Sequence, residues 1–187
     1  FRGIFATPFD STQRANFAKA VARRYFDNAT GDSLVGFSGK DFAAEPRYSI
    51  QIHRGRAGRA SGESMILALP QGPGTQANTV ADELAESPKR RFPIDASQIF
   101  GRIAATMELR YTIPVGWHAK LPPSVHVDGI FGTYLAEYAQ TGNELRIVRR
   151  TIGAQGIYAP ERAADLVTWF RAVGKDDAQF IVLERQA

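Results

Sequence analysis

The sequence predicts a β-rich α+β fold: antiparallel, sandwich-like sheets with one covering helix in each half. Three observations predict it. Ile103, Ala105, Met107, Leu109 and Tyr111 alternate with Thr106, Glu108 and Arg110, the period of two that marks a half-buried strand. Two more β-type runs, Phe131 to Gln140 and Glu144 to Ile152, flank Thr141-Gly142-Asn143, which is hairpin-turn chemistry. Two stretches, near residues 11–28 and 160–173, repeat apolar residues at helical spacing along one face.

The elements follow in order. Phe1-Arg2-Gly3-Ile4-Phe5 reads as the middle of a strand, with no initiator methionine and no signal-like start. The chain is therefore expected to be a processed product or an excised fragment. Asp10 is a good helix N-cap, and Gln13 three residues on completes a capping box. The helix it opens is expected to reach about Asn28. Phe17, Val21 and Tyr25 lie beside Ala18 and Ala22 on its inner face, and Gly31 is the expected stop.

Residues 31–64 read as loop-rich, with one clear strand at Tyr48 to His53. Arg54 to Gly62 reads as a turn, and Ser64 to Leu69 as the next strand. Pro70-Gln71-Gly72-Pro73-Gly74 breaks any regular element. The expected organisation is a small sheet-plus-helix unit over residues 1–72 and an antiparallel β unit over 73–187, dividing within 70–88. Val80 to Glu86 reads as a short helical turn. Beyond the strand at 103–111, Pro114-Val115-Gly116-Trp117 turns the chain and Leu121-Pro122-Pro123 ends a short strand. Pro160 opens the last helix, where its missing N–H costs nothing. Ala163, Leu166, Val167, Phe170 and Val173 are its expected buried stripe, and Phe180-Ile181-Val182-Leu183 closes the chain.

Composition excludes more than it assigns. The chain has no cysteine, which removes thiol nucleophiles, disulfides, iron–sulfur clusters and thiolate zinc sites within these 187 residues. Its longest apolar runs, such as Met65 to Leu69, are too short to span a bilayer. The net charge is +4, and the basic residues are scattered as Arg54/Arg56/Arg59, Lys89/Arg90/Arg91 and Arg146/Arg149/Arg150. Without a basic stripe and stacking aromatics they read as a solvated surface, not a nucleic-acid interface.

Motifs for specific chemistry fail on inspection. The segment ending Gly39-Lys40 has Leu34 where a phosphate-binding loop needs glycine, and Asp41 where it needs a hydroxyl. Gly36-Phe37-Ser38-Gly39 puts its second glycine one place early for a nucleophile elbow. His53, His118 and His126 share no metal-ligand spacing, so no metal or cofactor is expected. Acids such as Asp10, Glu161, Asp165, Asp176 and Asp177 fall at helix caps and turns. The candidate ligand-facing residues are aromatic: Trp117, Tyr134, Tyr138 and Tyr158, a set that would form a sugar-stacking platform if exposed together. Aromatics in alternating strands otherwise serve sheet packing. A hydrolase would instead need two carboxylates, or His118 with an acid and Ser124, gathered in a cleft.

Taken together, several segments carry a resemblance. They are Phe1 to Asn28, Leu67-Ala68-Leu69-Pro70, Lys89-Arg90-Arg91-Phe92-Pro93-Ile94 and Tyr111-Thr112-Ile113-Pro114-Val115-Gly116-Trp117. Leu121-Pro122-Pro123, the hairpin, Tyr158-Ala159-Pro160-Glu161-Arg162 and the terminal strand complete the set. In order and spacing the chain resembles the region downstream of the catalytic core in bacterial transglutaminase-like proteins that also carry an uncharacterised N-terminal β-domain. The resemblance implies a periplasmic or cell-envelope location. It also implies a non-catalytic accessory domain, partnered by its own upstream core or by another envelope protein. The family's catalytic Cys, His and Asp belong to that core, so none is carried over here. The alternative function is a carbohydrate-binding β-sandwich module.

Overall fold

The computed structural model describes residues 10–26, 28–36, 47–53, 56–70, 72, 77–86, 90–100 and 104–185. Among them the fold is mixed α+β and strand-rich, with several antiparallel sheets and a few helices, as the alternation predicts. The chain forms two compact units, Phe1–Arg59 and Ala60–Ala187, a division that lies upstream of the 70–88 stretch. The expected strand at Phe1 to Phe5 and the rejected motifs around Gly39-Lys40 lie outside the described residues.

In the first unit, helix α1 (Ser11–Tyr25) opens on the expected capping box. The Gln13 N–H donates to Asp10 Oδ1 at 2.7 Å, and the Asp10 N–H donates to Gln13 Oε1 at 3.1 Å. The helix ends earlier than expected, because Phe26 is already extended, at φ −141°. Asn28, not Gly31, takes the left-handed conformation after it, at φ 58°. Gly31 instead lies in strand β1 (Thr30–Gly36), where an added Cβ would collide with the Ala18 carbonyl. Its role is the close approach of strand to helix. Strand β1 pairs antiparallel with β2 (Tyr48–His53), and Phe17 of α1 meets Tyr48 edge-on at 5.9 Å. The sequence signal for β1 is weak because Thr30-Gly31-Asp32-Ser33 has poor strand propensity.

The second unit begins within β3 (Gly58–Ser61), which the sequence had suggested was turn. It continues through β4 (Ser64–Ala68), α2 (Ala77–Ala85), β5 (Ile94–Asp95), α3 (Ala96–Phe100), β6 (Ala104–Thr112), β7 (Trp117–Lys120) and β8 (Val125–Gly129). Strands β9 (Gly132–Thr141) and β10 (Glu144–Gly153) form the predicted hairpin, with Gly142 at φ 59° in its turn. Strand β11 (Ile157–Tyr158), a 3₁₀ turn at Pro160–Arg162, helix α3's longer counterpart α4 (Ala163–Asp177) and β12 (Phe180–Arg185) complete it. One sheet has the order β6-β10-β9-β8 and another β3-β4-β12-β7, while β11 and β5 form a two-residue ladder.

The inner face of the first sheet buries Tyr134, Ala136, Tyr138, Leu145, Ile147 and Arg149. Its outer face is wet and charged: Glu108 pairs with Arg146 at 2.9 Å and with Arg110 at 2.7 Å. Helix α4 buries Leu166, Trp169, Phe170 and Val173. Phe100 of α3 meets Trp169 at 5.3 Å and Phe170 at 5.5 Å, and the Trp169 indole N–H donates to the Gly132 carbonyl at 3.0 Å. Ala163 and Val167, expected in the stripe, are half-buried, and Trp169 takes the inner position. The helix also runs on past Val173. Gly174 permits this: a Cβ there would strike Asn78 of α2, whose amide donates to the Gly174 carbonyl at 3.3 Å. Among the described residues no helix is long and apolar enough to cross a membrane.

Candidate functional site

Strand alternation places Arg149 on the same inner face of β10 as Leu145, Ile147 and Thr151, where it is 0% exposed. A guanidinium there requires partners, since an unpaired buried charge is prohibitively costly. It finds them at the end of α4. Arg149 Nε lies 2.9 Å from Asp176 Oδ2, and Nη2 donates to the Asp176 carbonyl oxygen at 3.0 Å. Asp176 is also 0% exposed. An acid in the last turn of a helix opposes the macrodipole; this one is stabilised because the arginine supplies the opposite charge and adds a second donor to the Asp176 carbonyl, which also accepts from the Gln179 N–H at 2.9 Å.

The node extends further. The Tyr134 hydroxyl donates to Asp176 Oδ2 at 2.6 Å, and the Tyr138 hydroxyl donates to Asp176 Oδ1. Arg149 Nη1 donates to the Pro70 carbonyl, while the Gly72 N–H donates to Asp177 Oδ1 at 3.0 Å. Four pieces of chain meet here: β9, β10, the end of α4, and the stretch that carries Pro70 and Gly72. Burial, with the hydrogen bonds to Asp176, pushes both tyrosine hydroxyls far above their ordinary range. Burial alone would lower the Arg149 value, but Tyr134 and Asp176 around it more than compensate and hold it charged. The chemistry available is structural: a buried charge cluster in which Arg149 Nε meets Asp176 as an ion pair without a hydrogen bond.

A second feature lies at the surface of the same unit. Pro114, Val115, Gly116, Trp117, His118, Gln140, Gly142 and Asn143 line an open groove of about 620 Å³. The Gln140 side chain builds its floor, accepting from the Ala119 N–H at 2.6 Å and donating to the carbonyls of Trp117 and Gly142 at 3.3 and 2.9 Å. Trp117 is half-buried, with the Arg185 guanidinium 5.7 Å from its ring centre.

The four aromatics singled out in the sequence do not form one platform. Tyr134 and Tyr138 are corrected from ligand-facing to core, because their strand face turns inward and their hydroxyls serve Asp176. Tyr158 lies in the β11–β5 ladder, packs on Phe131 at 4.6 Å and donates to the Ile130 carbonyl at 2.9 Å. Trp117 lies in the β3-β4-β12-β7 sheet, so the two half-buried rings sit on different sheets.

His118 and His126 each lie beside one acid, on different sheets. His118 stands opposite Glu184 in the β7–β12 register. His126 contacts Asp128 at 3.1 Å with both side chains exposed. Among the described residues no group of three His, Cys, Asp or Glu could hold a metal ion. Sequence reasoning missed Arg149 and Asp176, assigning one to the surface and the other to a helix end. The signal was present in Leu145-x-Ile147-x-Arg149-x-Thr151, where period two puts the arginine in an apolar row.

Comparison with known proteins gives a family. The model of DUF3858, described as a domain of unknown function with solved-structure structure, matches residues 64–183. This stretch is more than half of the chain and holds the whole β6-β10-β9-β8 sheet, the node and the groove. No curated protein and no solved structure matches the chain. The chain belongs to the DUF3858 family.

Proposed function

We propose that this member of the DUF3858 family is a non-catalytic accessory domain of a transglutaminase-like protein of the bacterial cell envelope. Its role is to buttress an upstream catalytic core or to dock another envelope component. The observation that carries this reading is the closed Arg149–Asp176 node. The second unit uses its buried charges to join β9, β10, α4 and the backbone of Pro70 and Gly72, which is what a rigid support requires and a reaction centre does not. Strand β6 adds a docking feature: nine residues long, it pairs with β10 on one side and ends the sheet on the other. The transglutaminase connection and the envelope location rest on the sequence resemblance.

The catalytic half of the proposal is tested by incubating the chain with a glutamine-donor peptide and a fluorescent primary amine. Acyl transfer from glutamine in this family's chemistry runs through a thiolate, and this chain has none. The expected result is no amine incorporation by the purified chain. Incorporation above the no-protein control would overturn the accessory assignment.

A further inference from the structure

The net positive charge of the chain is confined to its first unit. Residues 1–59 hold ten Lys and Arg against five Asp and Glu, a net of +5. Residues 60–187 hold thirteen against fourteen, a net of −1. Within the first unit the asymmetry sharpens. Helix α1 carries Arg14, Lys19, Arg23 and Arg24 and no acid at all, and residues 47–59 carry four arginines and no acid.

Lys19 and Arg23 are exposed and stand one turn apart on the same stripe, with exposed Arg24 beside them. Two like charges at that spacing repel, and no acid on the helix offsets them. The helix dipole accounts for Arg23 and Arg24 in the last turn, but not for Lys19 in the middle. Arg56 and Arg59 are exposed as well. The other exposed residues of the helix are Ser11, Thr12, Gln13, Ala15, Asn16 and Ala20, none of them large and apolar.

We infer that this basic helix face holds the first unit against an anionic membrane surface by electrostatic attraction to lipid headgroups. The composition selects this partner. A protein interface is built on a core of aromatic or other large apolar side chains, and the helix exposes none of these. Single-stranded nucleic acid needs exposed rings for stacking; Phe17, Tyr25 and Phe26 are all half-buried, with Phe17 against Tyr48. An anionic lipid surface needs charge density alone. With no large apolar residue exposed on the helix, the attachment is peripheral and dissolves in salt.

The test is co-sedimentation of the full chain with vesicles of phosphatidylcholine alone or mixed equally with phosphatidylglycerol. Binding to the anionic vesicles is expected at low ionic strength, with release as salt rises, and no binding to the neutral ones. Each cation at the surface contributes about fivefold in partitioning, so Lys19→Gln, Arg23→Gln and Arg24→Gln together are expected to weaken it about a hundredfold. These side chains are exposed, and an unchanged circular dichroism spectrum checks that the helix persists. A charge-matched control in the second unit, Lys120→Gln, Arg150→Gln and Arg171→Gln, is expected to bind as the unmodified chain does. The inference is overturned if neutral and anionic vesicles bind alike, if neither binds, or if the control loses as much as the helix variant. Preferential capture of a duplex oligonucleotide over the vesicles would also overturn it, reassigning the face to nucleic acid.

Discussion

Replacing Asp176 with Asn is the sharpest perturbation available, because it removes one charge and almost no volume. In the native node Arg149 and Asp176 are both 0% exposed, and the carboxylate accepts from Tyr134 and Tyr138 while facing Arg149 Nε at 2.9 Å. The amide leaves the guanidinium charged in the interior and keeps one acceptor oxygen for two tyrosine hydroxyls. Breaking one side of a buried pair costs about 3–5 kcal/mol. At about 4 °C per kcal/mol for a unit of this size, the melting temperature is expected to fall by about 12–20 °C. Removing both charges, as Arg149→Met with Asp176→Leu, is expected to cost less than the single change, because only Asp177, 4.0 Å from Arg149 Nη1 and accepting from the Gly72 N–H, then loses the arginine. The assay is urea unfolding followed by tryptophan fluorescence, which reports the second unit alone because Trp117 and Trp169 both lie in it. A loss below about 1 kcal/mol for Asp176→Asn, or a double variant as damaged as the single one, would refute the reasoning.

The same fluorescence assay checks two further changes. Gln140→Ala strands the buried Ala119 N–H and frees two carbonyls, so a loss of about 1–3 kcal/mol is expected, with faster amide exchange at Ala119. Gly174→Ala drives a methyl into Asn78 and is expected to cost about 1–3 kcal/mol, part of which Asn78→Ala restores. Alkaline titration tests the tyrosines. Tyr134 and Tyr138 have folded values raised above the ordinary 10.0, so their contribution is full below pH 10 and is lost as pH rises beyond it. Their phenolate absorbance is expected to appear together with the fluorescence change of unfolding; ionisation of either in the folded protein, with fluorescence unchanged, would contradict the node.

How much of this was legible in the sequence depends on where the determining contacts lie. The α1 capping box was readable because both partners sit three residues apart, and the β9–β10 hairpin because its turn and its alternation are local. Strand β1 was not readable: its residues favour loops, and it exists by pairing with β2 and lying close against Ala18 of α1. Helix α4 was drawn too short because Gly174 and the two acids after it look like a stop. They continue the helix because Asn78 fills the space beside the glycine and Arg149 neutralises Asp176. The aromatic platform failed for a similar reason. Tyr134 and Tyr138 are four apart on one strand face, which the sequence shows, but which face turns inward is decided by a partner 38 residues further on. Arg149 left a local trace, since period two sets it in the apolar row of Leu145 and Ile147, but its charge groups it with the surface arginines Arg146 and Arg150.

The central claim is that this domain serves a transglutaminase-like envelope protein. Its most direct test is immunocapture from fractionated source cells with an antibody against the second unit, followed by mass spectrometry of the captured polypeptide. The account predicts an envelope-fraction species in which this domain is joined to, or stably bound by, a transglutaminase-like core. A free cytosolic species of 20.5 kDa with no such core attached or co-captured would contradict it.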